Sequence, residues 1–509
     1  MRKIARGKIA AVIFLTAAAV RLLNAPMVVR SGMPNLTPLD DLYHWKRIAF
    51  SAAHFPAVLE FDADRGERGA FCPWPPLYDL ACGALARIFG MNAVIWIPPI
   101  GSAICVALAA LLIDVEFGSL AAIAAGIALA TSPFIVTESS VGDIDHHWLE
   151  WPLVFAILFS VLAGFSRPDR LKPVLTLTIA MTVAMFVQIA LLPACGLAFV
   201  CLFAFGERRF AAAFGIVAMI ITIYRLTHPE LPASPWFLGW PHVALFAGAA
   251  VALALRKWPL VALVAGAAVA LAFPSAIATG SHFFGGDPWL STISEFQPVW
   301  KGDINDWVSH AFGFSVGAIL VFDLAGRAVR NRDRRIGAIA LFALAYFPLA
   351  ITSRRFEATA IPLLALAGAV DAAMILRRNV RMFAAAAIAI IPALQLAIWM
   401  SHPLPPVAPE EESWIRAAAF LRTQPPGRIL APWPLGHCLD VLGEHPVIVD
   451  NFGTMPDAGL FWRAQEALRS GDLRGFDVRY VIRERSPGPR FRLAYSDHGL
   501  NLWELRDLP

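Results

Sequence analysis

The chain has 509 residues, of which 58% are hydrophobic and only 16% are charged, and its mean hydropathy is +0.61. Soluble domains are about 45–50% apolar and about 25% charged, so the composition excludes a soluble protein, a disordered chain and a collagen-like repeat. The chain has only 6 cysteines, which are too few for a disulfide scaffold. The net charge is +4 with basic residues spread along the chain, so nothing indicates a nucleic acid partner.

Thirteen segments of the first 400 residues are apolar enough, over a window of about 19 residues, to be membrane spans. The first is not a cleaved signal peptide, because it is too long, contains Arg21 and lacks a small-residue cleavage site. The sequence therefore predicts an α-helical polytopic membrane protein. The predicted spans are 8–29, 92–113, 118–135, 149–165, 171–189, 190–206, 211–226, 241–255, 258–278, 308–323, 336–352, 357–376 and 382–400.

Lysine and arginine residues concentrate at the N-terminus and in the loops after the fourth, sixth, eighth, tenth and twelfth spans. All of these lie on one side if the number of spans is odd, and the positive-inside rule makes that side cytoplasmic. The loop at 114–117 is the exception, since it contains two acids and no basic residue. We therefore expect a cell (inner) membrane protein with a cytoplasmic N-terminus and with residues 401–509 outside.

The external side is predicted to carry three polar loops, at 30–91, 136–148 and 279–307. After the membrane domain at 1–400, the tail at 401–509 changes character. Short hydrophobic stretches alternate there with a helical pattern at 457–470, which predicts a small α/β domain. The stretches are Arg428–Leu430, Pro446–Asp450 and Val478–Arg483.

Each external loop contains a group of acidic residues, and carboxylates at a membrane surface are costly enough to indicate function. The first group is Asp40-Asp41-Leu42-Tyr43-His44-Trp45-Lys46-Arg47. Taken alone, this group is better explained as a solvated loop with an aspartate at a helix N-cap.

The second group runs from Gly142 to Glu150 and contains three acids and two histidines. In a helix, Asp143, His147 and Glu150 would share one face. Helix capping explains one of these residues but not the set, so metal binding is favoured. Oxygen and imidazole ligands suit Mg or Mn better than a thiolate-type zinc site.

The third group is Ser291-Thr292-Ile293-Ser294-Glu295-Phe296-Gln297-Pro298, in which Glu295 is an ordinary loop carboxylate if read alone. Arg354 and Arg355 follow on the external side, where basic residues are sparse. They have two interpretations: snorkelling to lipid head groups, or binding of a phosphate or pyrophosphate by the guanidinium fork.

Together these groups resemble motifs of the catalytic subunit of oligosaccharyltransferase and its single-subunit bacterial and archaeal relatives, in the GT-C class of membrane glycosyltransferases. Asp41 through Arg47 is similar to the family's Asp-x-Tyr-x-x-x-Arg, and Gly142-x-x-Asp145-x-His147 to its Gly-x-x-Asp-x-acid. Thr292 to Glu295 resembles its Ser/Thr-x-x-Glu, and Arg355, seven residues before Pro362, its Arg-x₆-Pro. The resemblance keeps this order over most of the chain. It implies thirteen spans and an external C-terminal domain.

One motif departs from the family pattern. The family's C-terminal domain opens with Trp-Trp-Asp-Tyr-Gly, whose Trp-Trp-Asp part reads the hydroxyl residue of an Asn-x-Ser/Thr acceptor. The matching stretch here is Pro432-Trp433-Pro434-Leu435-Gly436-His437, followed by Val447-Ile448-Val449-Asp450-Asn451, which resembles the family's continuation. Pro434 replaces the aspartate, and proline has neither a carboxylate nor a backbone donor.

The resemblance implies a donor glycan on a polyprenyl phosphate or pyrophosphate, and a role for each matched residue. A divalent metal, Mg or Mn, would be held by Asp41, Asp145, His147 and Glu295. Asp41 and Glu295 would also be catalytic and face the acceptor nucleophile. Arg355 and His437 would bind the donor phosphate, and Trp433 the acceptor.

Other functions stay open at this stage. The acceptor is either a protein, or a lipid or glycan. The loss of the Trp-Trp-Asp motif favours a lipid or glycan acceptor. A non-catalytic transporter or glycan-binding membrane protein is disfavoured, because the acids lie in external loops and not inside the spans. Membrane lipids are expected partners in every case.

Overall fold

The computed structural model describes residues 2–29, 34–37, 39–166, 171–234, 236–271, 287–302, 304–401 and 409–506. Contacts between Cα atoms divide the chain into two compact units. The first unit is Met1–Asn24, Pro98–Val141 and His146–Pro403, and the second is Ala25–Ile97, Gly142–Asp145 and Leu404–Pro509.

Long apolar helices dominate the first unit. Within the described ranges, seven helical segments are long and apolar enough to cross a membrane, judged by length and composition, and five further apolar helices are shorter. The chain is therefore a multi-pass membrane protein, and the predicted helical fold class is confirmed. The helices are α1 (Arg2–Arg21), α2 (Ala25–Val28), α3 (Asp40–His54), α4 (Leu77–Phe89), α5 (Ile97–Phe117), α6 (Ser119–Thr131), α7 (Pro133–Thr137), α8 (Glu150–Ser166), α9 (Lys172–Val187), α10 (Leu192–Phe205), α11 (Ala211–Thr227), α12 (Trp240–Ala254), α13 (Pro259–Leu271), α14 (Ile304–Asn331), α15 (Arg334–Thr352), α16 (Glu357–Met374), α17 (Arg378–Ser401), α18 (Pro409–Leu421), α19 (Gly436–Val441) and α20 (Ala458–Ser470).

Each of the thirteen predicted spans overlaps one of these helices, although the boundaries differ. The third predicted span breaks at Ser132, because Pro133 begins a separate short helix. The segment 272–278 of the ninth predicted span lies outside the described residues. Within the first unit, α6 packs against α1, α16 and α17, while α8 packs against α9, α10 and α15.

Arg21, at the end of α1, is fully buried in the first unit. Its Nε donates to the hydroxyls of Ser102 and Ser139 at 3.1 and 2.8 Å. Its Nη1 donates to the carbonyls of Ala17 and Ala130 at 3.0 and 3.1 Å. A charge buried in this way is tolerated because several acceptors satisfy it, and Arg21 thereby joins the ends of several helices.

The second unit contains the strands. A two-stranded antiparallel sheet pairs β1 (Phe61–Asp62) with β2 (Ala70–Phe71). A four-stranded sheet has the order β3-β4-β6-β5, where β3 is Ile429–Leu430, β4 Tyr480–Ile482, β5 Phe491–Asp497 and β6 Leu500–Leu505. Strands β3 and β4 are parallel, and the remaining pairs are antiparallel.

The predicted helix at 457–470 and two of the three predicted stretches of the C-terminal region are found as α20, β3 and β4. The third stretch, Pro446–Asp450, forms only isolated bridges through Val447, to Arg65 and to Ile429. The hairpin of β5 and β6 was not predicted. Buried and exposed residues alternate too weakly along β5 for the sequence pattern to indicate a strand. Apolar residues of the sheet, α18 and α19 form the core of this region.

Candidate functional site

Helix α3 places the first acidic group in the second unit. Asp40 and Asp41 occupy its first turn, where negative charge is favourable. The N-cap is Leu39, so the predicted N-cap aspartate is wrong. The Asp41 carboxylate instead accepts hydrogen bonds from the backbone N–H groups of Ile144 and Asp145, at 2.8 and 3.1 Å. Two predicted site residues, Asp41 and Asp145, thus meet within one unit.

A buried histidine extends this acidic centre. His44 lies one turn after Asp41, with its Nδ1 2.6 Å from an Asp79 oxygen and its Nε2 3.2 Å from an Asp145 oxygen. Its ring stacks on Trp74 with centroids 4.1 Å apart. Arg47 pairs with the other oxygen of Asp79, and both side chains are fully buried. Sequence reasoning assigned no role to His44 or Asp79, because nothing local indicates that α4 packs on α3.

The electrostatics of this centre follow from its burial. Burial, reinforced by the negative charge of Asp145, raises the pKa of the Asp41 carboxyl to about 8. Burial alone would lower the pKa of His44, but Asp79 and Asp145 outweigh it and raise that pKa to about 9. The raised pKa of Asp41 means that a proton, or a bound cation in its place, is favoured beside Asp145.

The helix in which the second acidic group would share one face does not form. Residues 142–145 are not helical, a 3₁₀ turn covers His146–Leu149, and α8 begins only at Glu150. Asp143 therefore does not share a helix face with His147 and Glu150. The other two remain in contact, with His147 Nδ1 3.0 Å from a Glu150 carboxylate oxygen. One ligand atom each from His146, His147 and Glu150 lies within 4.8 Å of the others.

Arg355 joins this cluster within the first unit. Its Nη1 lies 2.7 Å from Nδ1 and 2.9 Å from Nε2 of His147. Its Nη2 pairs with the buried Glu150 carboxylate, and its Nη1 lies 3.5 Å from Glu295 Oε2. Three predicted site residues, His147, Glu295 and Arg355, therefore come together. Glu150, which belongs to the acidic group for which metal binding was favoured, pairs with the guanidinium and holds it among them.

The loop carrying Glu295 is attached to the arginine turn by its backbone. The Ser353 hydroxyl donates to the Glu295 carbonyl at 3.3 Å, and the Arg354 N–H donates to the Gln297 carbonyl at 3.1 Å. The Glu295 side chain is 42% exposed, so it is accessible to a ligand. The part of this predicted loop at 279–286 lies outside the described residues.

The motif that departs from the family pattern forms a 3₁₀ turn at Trp433–Leu435. This turn leads into α19 in the second unit. His437 is fully buried and stacks on Tyr43 with ring centroids 4.7 Å apart. Its Nδ1 lies 3.3 Å from an Asp40 oxygen. Trp433 is half-buried, and Pro434 occupies the first turn of the 3₁₀ helix.

Both aspartates that follow this motif already have cationic partners. Lys46 Nζ lies 2.9 Å from each carboxylate oxygen of Asp440. Asp450 forms a buried bidentate pair with Arg65. The charge of Arg65 outweighs the opposing effect of burial and lowers the pKa of the Asp450 carboxyl. Both carboxylates are therefore already engaged by a cation.

Comparison with known proteins identifies the fold. No sequence-family profile and no curated protein matches the chain, but solved structures do. Archaeal oligosaccharyltransferase AglB from Archaeoglobus fulgidus, in complex with an inhibitory peptide and a dolichol-phosphate, superposes with a TM-score of 0.76 at 16% identity. That match covers 95% of this chain and 70% of the other.

Two further structures extend the comparison. The same archaeal enzyme in complex with Zn and sulfate matches with a TM-score of 0.69 at 17% identity, over 94% of this chain and 68% of the other. ArnT from Cupriavidus metallidurans, bound to undecaprenyl phosphate, matches with a TM-score of 0.50 at 13% identity, over 98% and 97%. The chain thus has the fold of GT-C membrane glycosyltransferases. Among these structures it is more similar to the archaeal oligosaccharyltransferase than to ArnT.

Proposed function

We propose that this protein is a glycosyltransferase that moves a glycan from a polyprenyl phosphate or pyrophosphate to an acceptor at the external membrane face. The observation that carries the proposal is the meeting of Asp41 and Asp145 in a buried acidic centre, within a fold shared with an oligosaccharyltransferase. These residues come from motifs 104 residues apart. A purely structural role does not explain two carboxyl groups buried side by side, because ionising both of them there is costly.

A divalent cation, Mg or Mn, is the proposed cofactor. The residues fit such an ion, since the buried carboxyl groups of Asp41 and Asp145 lie close together and carboxylate oxygens are ligands that both metals accept. Asp41 and Asp145 would hold it, and the resemblance to the family makes His147 and Glu295 the further proposed ligands. A bound divalent ion would stabilise negative charge on the departing phosphate as a Lewis acid. The backbone N–H groups on Asp41 fix the orientation of its carboxylate.

Arg355 is the proposed contact to the donor phosphate. The buried Glu150 and His147 hold its guanidinium in place, and this reduces the entropy lost when a ligand binds. A guanidinium binds a phosphate through two parallel charge-assisted hydrogen bonds. His437 is proposed as a second phosphate contact, with its ring fixed by stacking on Tyr43.

The acceptor is proposed not to be selected as an Asn-x-Ser/Thr sequon. Pro434 cannot accept a hydrogen bond from a hydroxyl through its side chain, and the neighbouring Asp440 and Asp450 are engaged by Lys46 and Arg65. This favours the second candidate function, transfer to a lipid or glycan acceptor. Trp433, the one tryptophan that the motif keeps, is then the proposed acceptor contact.

A paired peptide assay tests this proposal. Asn-x-Thr and Asn-x-Ala peptides are incubated separately with the full chain and one polyprenyl-linked oligosaccharide, and donor consumption and peptide glycosylation are both followed. We expect equal glycosylation of the two peptides, or donor turnover without glycosylation of either. Strong glycosylation of the threonine peptide alone would show that the sequon is read. Absence of any donor turnover, with a panel of lipid and glycan acceptors included, would favour a non-catalytic protein.

The proposed topology places the N-terminus in the cytoplasm and residues 401–509, the proposed C-terminal domain, outside. Its support is the distribution of basic residues, which lie in alternate loops. Fusion of alkaline phosphatase after residue 401 should be active, since that enzyme functions only outside the cytoplasm. A fusion after Lys8 should be inactive. The opposite result would reverse the orientation.

A further inference from the structure

Helix α4 of the second unit has one buried face and one exposed face, and the exposed face is apolar. The buried residues include Asp79, Cys82, Gly83 and Ala86. The exposed face consists of Ala81, Leu85, Ile88 and Phe89, which recur at i, i+4, i+7 and i+8. Ile88 and Phe89 are each 70% exposed. A helix surface that faces water carries polar residues, so this face indicates contact with an apolar medium.

The buried face of α4 supports the acidic centre. Asp79 contacts both His44 and Arg47 of α3. Gly83 lies so close to α3 that a Cβ atom added there would come within 2.5 Å of the Ser51 Cβ. Helices in such close contact do not slide past each other without a clash, because protein interiors are close-packed. The depth of α4 relative to a membrane therefore also sets the depth of α3 and of the acidic centre.

The segment that follows α4 identifies what covers its exposed face. Phe89 lies two residues before Met91–Phe117, a segment long and apolar enough to cross a membrane. Two residues of extended chain span at most about 7 Å, so the apolar face ends within that distance of the start of this segment. Arg87 is the one exposed charged residue of α4, a helix that is described in full. A basic side chain beside apolar ones suits a membrane surface, where it reaches the lipid phosphate groups.

We propose that α4 lies along the membrane surface, with Ala81, Leu85 and Ile88 towards the acyl chains and Arg87 at the lipid head groups. The apolar face runs through about two helical turns, so a helix that met the membrane only with its end would leave the start of this face in water. Helices of this kind bury their apolar face about 5–10 Å into the boundary between head groups and acyl chains. Membrane lipids thereby fix the height of the acidic centre. This proposal stands apart from the proposed glycosyl transfer, because it concerns the position of a helix and not a reaction.

Spin labels on single introduced cysteines test where α4 lies, in the full chain reconstituted into phospholipid nanodiscs. Electron paramagnetic resonance compares label collisions with O₂, which concentrates in lipid, and with a nickel chelate, which stays in water. Labels at Ala81→Cys, Leu85→Cys and Ile88→Cys should all favour O₂. Leu108→Cys, at a 53% exposed position of α5, is the lipid reference, and Arg469→Cys, at an exposed position of α20, is the water reference. The unmodified chain, whose six cysteines are buried or half-buried, gives the background labelling.

The pattern of collisions along α4 separates the proposal from its alternatives. Arg87→Cys points away from the apolar face and should favour O₂ less than Leu85→Cys and Ile88→Cys, so that the preference follows the helical period of about 3.6 residues. A preference that fell steadily from Ile88 back to Ala81 would mean that only the end of the helix meets the membrane, and the proposal would be wrong. Preference for the nickel chelate at all three positions, as at Arg469, would place the face in water and overturn it. Labels shielded from both reagents would show that a second copy or another protein covers the face, which would equally refute it. Circular dichroism and the melting temperature check that each variant is folded.

Discussion

Replacing Asp41 by asparagine separates two roles that the structure gives to this residue. The carboxylate accepts hydrogen bonds from two backbone N–H groups, and it also contributes negative charge to the buried centre. Alanine would remove both, leaving two buried donors unsatisfied at a cost of about 1–3 kcal/mol each. Asparagine keeps an acceptor oxygen and removes only the charge. Because the pKa of the carboxyl is about 8, asparagine also resembles the protonated side chain that is present at neutral pH without a bound cation.

We therefore expect Asp41→Asn to fold normally and to lose activity. Loss of groups that merely support a metal ligand typically costs 10–100-fold in metal affinity or activity, so loss of a ligand should cost at least about 100-fold. Two measurements are needed: consumption of a fluorescent polyprenyl-linked oligosaccharide, and Mn²⁺ binding followed by electron paramagnetic resonance. The melting temperature without metal should change little.

The matched control is Asp64→Asn, which removes the same charge from a half-exposed acid of the same unit. It should retain both turnover and Mn²⁺ affinity. If Asp41→Asn kept turnover and Mn²⁺ affinity within a few-fold of the unmodified protein, the assignment of Asp41 as a metal ligand would be refuted. If Asp41→Asn lost turnover but bound Mn²⁺ normally, its role would lie with the acceptor nucleophile and not with the metal.

Three further predictions follow from the ion pairs and the proposed ligands. After exhaustive chelation, Mn should restore turnover better than Mg, because His147 is a softer ligand than a carboxylate; turnover unaffected by chelation would exclude a metal. Burial, opposed only partly by Lys46, raises the pKa of the Asp440 carboxyl to about 7. The protonated carboxyl therefore stabilises the fold at low pH, and this stability is lost as the pH rises from about 4 to about 7. Asp440→Asn should flatten that part of the stability curve, whereas Asp477→Asn, at an exposed position, should leave it unchanged; equal slopes in both would contradict the assignment. Arg65→Met should lower the free energy of unfolding by about 3–5 kcal/mol, because it leaves a buried charge unpaired. The double variant with Asp450→Asn should recover much of that loss in chemical denaturation, and a strictly additive loss would refute the pairing.

The sequence by itself determined the membrane class and the position of the spans. Hydropathy is a local property that adds along a helix, so a window of residues carries nearly all of the relevant free energy, and each predicted span overlaps a helix. The acidic motifs are equally local and were visible in the sequence, and the resemblance to the family showed the departure at Pro434. The sequence did not identify Glu150 as the residue that holds Arg355, because the two are 205 residues apart and no periodic pattern connects them.

Only the tertiary structure decided which charged groups compensate one another. Three separated segments form the second unit, and their folding brings His44 between Asp79 and Asp145 and places Lys46 against Asp440. A helix from Asp143 to Glu150, in which the acids would share one face, does not form for a related reason. Tertiary hydrogen bonds from the backbone N–H groups of Ile144 and Asp145 to Asp41 outweigh the helical propensity of a short segment. Such contacts depend on packing between distant parts of the chain, and a linear pattern of residue types does not contain that information.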